Sequence, residues 1–165
     1  MEHLWSPWRM EYLEAERDAP DDEACVFCEL LSADGAEGAD RILARDDLAF
    51  ATLAKYPYNP GHVLVLPTRH TGDLEEVSAA ENAAITALIQ RSVRALREVS
   101  APHAFNVGLN LGREAGAGIP GHLHWHVVPR WSGDTNFMPV IGETRVLPEL
   151  LADSYTKLKP RFDGA

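Results

Sequence analysis

Three of the chain's seven histidines, His122, His124 and His126, occupy alternate positions of the run His-Leu-His-Trp-His-Val-Val. Alternate side chains of an extended strand share a face. This spacing therefore sets three imidazoles in a row, roughly 6–7 Å apart, with Leu123, Trp125 and Val127 turned the other way. A strand that only needed a solvated face would be served as well by Ser, Thr, Lys or Glu. Three imidazoles point instead to chemistry, and two kinds are open. One is a metal held by several ring nitrogens. The other is nucleophilic catalysis, in which one neutral imidazole attacks and its neighbours assist. A second group of soft donors lies near the start of the chain, Cys25-Val26-Phe27-Cys28. The spacing suits two thiolates on one zinc, but a structural site takes four ligands. A thioredoxin-like redox motif would open a helix after a strand, whereas this one follows the acidic run 18–23.

The surrounding pattern predicts the elements that must position these groups. Residues 1–20 form an aromatic arm and an acidic linker. Leu4, Trp5, Trp8, Met10, Tyr12 and Leu13 are expected to pack on the body or on a second subunit. Cys25–Leu31 reads as a short turn or helix, and 32–40 as a loop. Arg41–Ala44 and Leu48–Leu53 read as strands around a turn. Tyr56–Gly61, with two prolines, Asn and Gly, is a rigid connection into a strand over His62–Pro67. From Ser78 to Val99 the period becomes helical, with Ile85, Leu88, Ile89, Val93, Leu96 and Val99 on one face. Ser78 with Glu81 makes a capping box, and Ser100–Pro102 ends the helix. Ala104–Leu111 is the next strand. Gly112–Gly121 holds four glycines and a proline in ten residues, a loop able to bring backbone amides close to a ligand. His122–Pro129 is a strand. A loop to about Gly142, a short strand near Arg145–Leu147 and a helix over Pro148–Leu158 complete the chain. The class is α+β: a mainly antiparallel sheet with one long helix and a C-terminal helix, the helices on one side. One domain spans 1–165, with an arm 1–24, a core 25–131 and an extension 132–165.

Composition narrows the function. The chain has 165 residues, 45% of them hydrophobic, which is enough for a core without disulfide staples. Its net charge of −10 argues against nucleic-acid binding through a broad basic surface, though one local anion pocket remains compatible with it. No apolar run reaches membrane-spanning length, so no membrane partner is expected. The start, MEHLWSPWRM, lacks the basic and apolar regions of a secretory signal. With two cysteines in a Cys-x-x-Cys, this predicts a reducing cytoplasm and metal or redox chemistry.

The run His122-Leu123-His124-Trp125-His126-Val127-Val128 resembles the signature of the histidine triad family. Pro60-Gly61-His62 with Val63–Pro67 resembles that family's other active-site segment. Leu4–Arg9, Tyr56–His62 and Asn106–Gly112 resemble bacterial and archaeal members related to the diadenosine tetraphosphate phosphorylases. The resemblance implies covalent catalysis on a nucleoside phosphate: a nucleotide hydrolase or transferase acting on dinucleoside polyphosphates or nucleoside phosphoramidates. His124 would attack the α-phosphorus and carry a nucleotidyl-imidazole. An imidazole near its ordinary pKa is mostly neutral and nucleophilic at pH 7. His126 resembles the residue that meets the phosphate and the bridging oxygen, and His62 the one that lies behind. Asn110 resembles a phosphate-contacting amide, and Gly116 and Gly118 lie on the loop whose N–H groups would neutralise phosphate charge. Relatives that bear zinc complete the Cys-x-x-Cys site with two histidines, here His70 and His122. A closed structural zinc on Cys25, Cys28, His70 and His122 is thus implied, leaving chemistry to His124. Relatives are usually homodimers, so a homodimer is expected.

Two departures concern substrate. Where many relatives have an Asn or Asp that contacts ribose, this chain has Ala54. Where they have Ser or Thr ahead of the first triad histidine, it has Gly118 and Ile119. For phosphorolysis, Arg113 or Lys55 could help build an anion site, and both read equally as surface charges. His3 and His103 read as solvated. An alternative from another class is a zinc-containing nucleotide-binding protein with little turnover. A third reading, a hydrolase with catalytic zinc on the three histidines, predicts activity that a chelator abolishes at once.

Overall fold

The computed structural model describes residues 25–32, 41–134 and 146–163. The expectations for the arm 1–24, His3, the 33–40 loop and 135–145 lie outside these residues. The described residues form five strands: β1 Ile42–Arg45, β2 Ala49–Leu53, β3 Val63–Pro67, β4 Ala104–Gly108 and β5 Trp125–Arg130. They form one antiparallel sheet in the order β1-β2-β3-β5-β4. Among the described residues three α-helices accompany it: α1 Val26–Ser32, α2 Ala79–Ser100 and α3 Leu151–Asp163.

Side-chain alternation divides the sheet into two faces. Ala49, Ala51 and Leu53 of β2, Val63 and Val65 of β3, and Val127 of β5 are buried with Ile85, Leu88, Ala95 and Leu96 of α2 and Leu158 and Phe162 of α3. The other face carries Phe50, Ala54, Leu64 and Leu66, covered by Phe27, Leu30 and Leu31 of α1. The helices therefore do not all lie on one side, as the sequence pattern predicts. The short apolar stripe of α1 has its own patch to bury, on the opposite face from α2. Central strands β2 and β3 are buried along their whole length, so they read as continuous apolar runs rather than alternating ones.

The α2 start is the predicted one. Ser78 Oγ accepts from the Glu81 N–H, and the Glu81 carboxylate accepts from the Ser78 N–H. The Arg69 guanidinium also donates to Glu81. Arg69 and the Ser78 bonds hold that carboxyl down at about 2. The helix end of the β3–α2 connection is thereby tied to the residue beside His70.

Three expected elements differ. The strand predicted at His122 starts only at Trp125. In the β3–β5 register Val65 faces Trp125, so two residues further on Pro67 would have to face Leu123. Proline offers no N–H to the ladder, the Pro67 carbonyl is taken by the His122 ring at 3.0 Å, and the Leu123 N–H goes to the Thr71 carbonyl at 2.8 Å. Val146 and Leu147 form no strand and are exposed. The C-terminal helix begins at Leu151, after Pro148, and runs through Pro160 to Asp163. Burial of Phe162 in the main core holds that last turn.

Candidate active site

The site is built on the α1-covered face, where β3 and β5 lie side by side. His126 is the second residue of β5, opposite Leu64 of β3 and Gly108 of β4. His62 immediately precedes β3 and is delivered by the turn at Gly61, whose φ is +75°. His122 and His124 precede β5. The rings of His124 and His126 lie 5.2 Å apart, and those of His62 and His126 5.1 Å apart. His62 and His122 are only 1% and 0% exposed and His124 7%, so none of these three is a solvated surface imidazole.

The hydrogen bonds assign every tautomer in the row. His122 Nε2–H donates to the Pro67 carbonyl, leaving the Nδ1 lone pair toward the two cysteines. His124 Nδ1–H donates to the His122 carbonyl at 2.8 Å, which leaves the lone pair on Nε2. The Tyr58 backbone N–H donates to His62 Nδ1 at 3.1 Å. His62 must then carry its proton on Nε2, which donates to His126 Nδ1 at 2.9 Å. His126 consequently carries its proton on Nε2, an atom buried without a partner among the described residues. A nitrogen lone pair on His124 and an N–H donor on His126 without a partner among the described residues thus stand on neighbouring rings. Burial pushes the pKa of His124 down, against the opposing effect of the His122 carbonyl. Burial, reinforced by His124, pushes His126 down to about 4. Both rings are therefore neutral at pH 7.

Cys25, Cys28, His70 and His122 come together, their ligand atoms all within 4.8 Å of one another. Cys25 Sγ lies 3.4 Å from His122 Nδ1, and Cys28 Sγ lies 3.4 Å from His70 Nδ1 and 3.7 Å from His122 Nδ1. A tetrahedron with bonds of about 2.0–2.3 Å has edges of roughly 3.3–3.8 Å; these three distances match it, and the donor set, two thiols and two imidazoles, is one that zinc takes. Burial and the adjoining Cys25 push the Cys28 thiol up to about 11; a divalent cation between the sulfurs would reverse that. The Cys2His2 cluster supports a structural zinc. It leaves His124 and His126 outside the donor set.

The glycine loop is partly self-satisfied. The Gly116 N–H closes a turn onto the Arg113 carbonyl at 2.8 Å, so this predicted phosphate donor is already spent. Asn110 Nδ2 donates one hydrogen to the Gly116 carbonyl at 3.2 Å, which leaves its second amide hydrogen. Gly118 lies half-buried on the same loop. Ala54 is buried among Phe27, Leu30, Phe50 and Leu64 and offers no polar contact. Lys55 is exposed, its Nζ 5.6 Å over the Tyr56 ring, and Arg113 is half-buried. His103 is exposed but not merely solvated: its Nδ1 accepts from the Ser132 N–H at 2.9 Å.

Three residues near the site carry no role in the sequence pattern. Phe27 lies edge-on to His122 at 5.6 Å and tilted on His124 at 5.4 Å. Tyr58 stacks on His126, with ring centroids 5.5 Å apart at 13°. Asn59 anchors the His62 turn. Phe27 sits inside the Cys-x-x-Cys, and the other two precede Pro60-Gly61-His62; that adjacency is the signal that could have found them.

The HIT domain model matches residues 36–133. The chain belongs to the histidine triad family. It is 43% identical over 159 residues, 93% of this chain and 80% of the relative, to the AP-4-A phosphorylase of Mycobacterium tuberculosis. It is 30% identical over 94 residues to the asymmetrical bis(5'-nucleosyl)-tetraphosphatase of Schizosaccharomyces pombe, covering 57% of this chain and 51% of that protein. A Zn-bound histidine triad family protein from Mycobacterium smegmatis superposes with a TM-score of 0.68 and 31% identity, over 85% of this chain and 94% of that one. The protein is an enzyme of the histidine triad type and falls in the AP-4-A phosphorylase-like branch.

Proposed function

We propose that the chain cleaves dinucleoside polyphosphates by nucleotidyl transfer through His124, with inorganic phosphate as the acceptor. The observation that carries this is the pairing of a His124 Nε2 lone pair with the unpartnered Nε2–H of His126. His124 Nε2 forms a bond to the α-phosphorus while the bond from that phosphorus to the bridging oxygen breaks. The electron pair leaves with the released nucleotide. A phosphate oxygen then bonds to the same phosphorus, the N–P bond breaks, and its electrons return to Nε2. His126 donates its Nε2–H to an oxygen at the reacting phosphate, and His62 holds it in that tautomer. The second amide hydrogen of Asn110 and the Gly118 N–H supply further donors to phosphate charge. The choice of acceptor is supported by the 43% identity to a phosphorylase over most of both chains.

Zinc at Cys25, Cys28, His70 and His122 would pin α1 against the segment that carries His124, a closed site with no open position for substrate. The functional unit is a homodimer. The β4 edge supports it: among the described residues no strand pairs with its outer side, and it is largely exposed, with Val107 49% exposed. The cytoplasm is the proposed location, supported by reduced soft donors that zinc would hold; among the described residues no helix is long and apolar enough to cross a membrane.

The test is incubation with diadenosine tetraphosphate, with and without inorganic phosphate, and identification of products by mass spectrometry. ADP plus ATP formed only with phosphate is the expected outcome. AMP plus ATP regardless of phosphate would make the chain a hydrolase. Cleavage of adenosine phosphoramidates alone would move the substrate class. Binding without a nucleotidyl-histidine adduct and without turnover would leave the nucleotide-binding alternative. His124→Ala should keep the fold and lower turnover by about 10³-fold or more, since it removes the nucleophile and no core contact of the helix face.

A further inference from the structure

We infer that Asn59, held by Asp134, is a positioning residue that fixes the His62–His126 pair through the turn that delivers His62. The β3–β5 ladder ends where Val63 faces Val127. Beyond it the Pro129 carbonyl has no β3 residue to receive from, and the Asn59 side chain takes that place: Asn59 Nδ2 donates to the Pro129 carbonyl at 2.9 Å. The same nitrogen donates to Asp134 Oδ2 at 2.8 Å. Asp134 is itself over-determined. Its carboxylate also receives Arg130 Nε at 2.6 Å, Arg130 Nη2 at 2.9 Å and the Trp131 N–H at 3.1 Å. Its side chain is only 11% exposed, so the paired charges hold one geometry.

The turn needs such an anchor. It runs through exposed aromatic residues, with Tyr56 79% and Tyr58 45% exposed. Its internal bonds include the His62 N–H to the Asn59 carbonyl at 3.1 Å and the Tyr58 N–H to His62 Nδ1. The second bond decides which His62 nitrogen carries the proton, and hence which nitrogen of His126 does. Asn59 lies between the residues that make it. Releasing its side chain from β5 lets Tyr58 drift from His62 Nδ1. The tautomers of both rings then mix, and His126 presents an N–H at the site only part of the time. No group between Asp134 and His126 needs to gain or lose a proton; the effect is orientation.

The kinetic part of the test rests on the cleavage proposed above; the spectroscopic part does not. Asn59→Ala and Asp134→Ala should each lower kcat about 10–100-fold with KM changed less than about threefold. Asp134→Asn, whose amide oxygen still accepts from Asn59, should recover most of the rate. Asn106→Ala removes the outer contact of Arg130 at 2.6 Å without touching the turn and should match the parent. In nitrogen-15 spectra of the histidine side chains, the parent should show His62 and His126 each protonated at Nε2 alone. The two alanine variants should show averaged ring nitrogens. Unchanged ring spectra in Asn59→Ala overturn the inference whatever the rate does. A rise in KM at constant kcat also overturns it, as does loss of the fold in both alanine variants, because positioning requires a scaffold that survives. If the parent cleaves no nucleotide, the cleavage reading fails while the spectra still decide the role of Asn59.

Discussion

His126 shows how burial and bonding act together on one ring. Protonating it would place a second N–H on Nδ1, facing the Nε2–H of His62. His62 could yield only by moving its own proton to Nδ1, where the Tyr58 amide already donates. An amide N–H cannot reverse its role, so the row resists a third proton. Burial, with His124 second, pushes in the same direction and sets His126 at about 4, below the ordinary histidine value of 6.5. The unfolded chain therefore takes up this proton first as pH falls. Above pH 6.5 both states are neutral and the group contributes nothing to pH dependence. Between 6.5 and about 4 the unfolded state gains, and stability is lost. The parent should lose about 1–3 kcal/mol more than His126→Gln when urea unfolding at pH 7.5 is compared with that at pH 4.5. Equal losses would mean that the His126 ring is already charged in the folded enzyme. The same neutrality suits a hydrogen-bond donor whose state does not change across the physiological range.

At the scale of elements, the turns decide whether the strands deliver their histidines. Gly61 sits at φ +75°, and a Cβ there would lie 2.8 Å from Leu96 Cδ2, a fully buried side chain of α2. Gly61→Ala should cost about 1–3 kcal/mol from the left-handed backbone and the core displacement together. It should also lower activity in the protein that remains folded, because His62 is the next residue; thermal unfolding and turnover measured side by side check both. Gly72 is a different case: a Cβ there would meet the Pro120 carbonyl at 2.6 Å, so the segment after β3 and the glycine loop approach backbone to backbone. Much of this was legible in the chain. The α2 face and its capping box follow from periodicity and from Ser78 with Glu81, both local signals. The neighbouring rings of His124 and His126 fit the alternation of the run, whereas the His122 ring turns to the cysteines from outside the strand. The late start of β5 does not, because it depends on which β3 residue Leu123 meets, and that partner is a proline 56 positions away. The α1 face is equally non-local: seven residues with Phe27, Leu30 and Leu31 say that something is buried, not against which side of the sheet. The four-donor cluster came from family likeness, since spacing alone pairs only the cysteines. Asn59 was hidden for the same reason as Leu123, its partners Pro129 and Asp134 being remote in sequence.

Across the whole molecule, the two sides of the sheet differ in what holds them. The α2–α3 side has a continuous apolar core that joins both helices to the sheet. The α1 side has a small cluster of Phe27, Leu30, Leu31, Phe50, Ala54, Leu64 and Leu66, and α1 has only seven residues. A helix that short gains little from its own hydrogen bonds, so the Cys2His2 cluster is the second fastening. His122 links this fastening to the chemistry: its ring belongs to the donor set, while its carbonyl fixes the tautomer of His124. Metal removal should therefore loosen α1 and the His124 ring without dismantling the sheet or the β4 edge. Purified protein should carry about one zinc per chain. Exhaustive chelation should lower the unfolding temperature by several degrees, raise hydrogen exchange in α1, and reduce turnover gradually as metal is lost, with recovery on adding zinc back. Light scattering should give twice the 18.2 kDa chain mass before and after. Immediate and complete loss of activity at unchanged thermal stability would instead make the metal a participant in the reaction. An 18.2 kDa species in the zinc-loaded protein would refute the dimer.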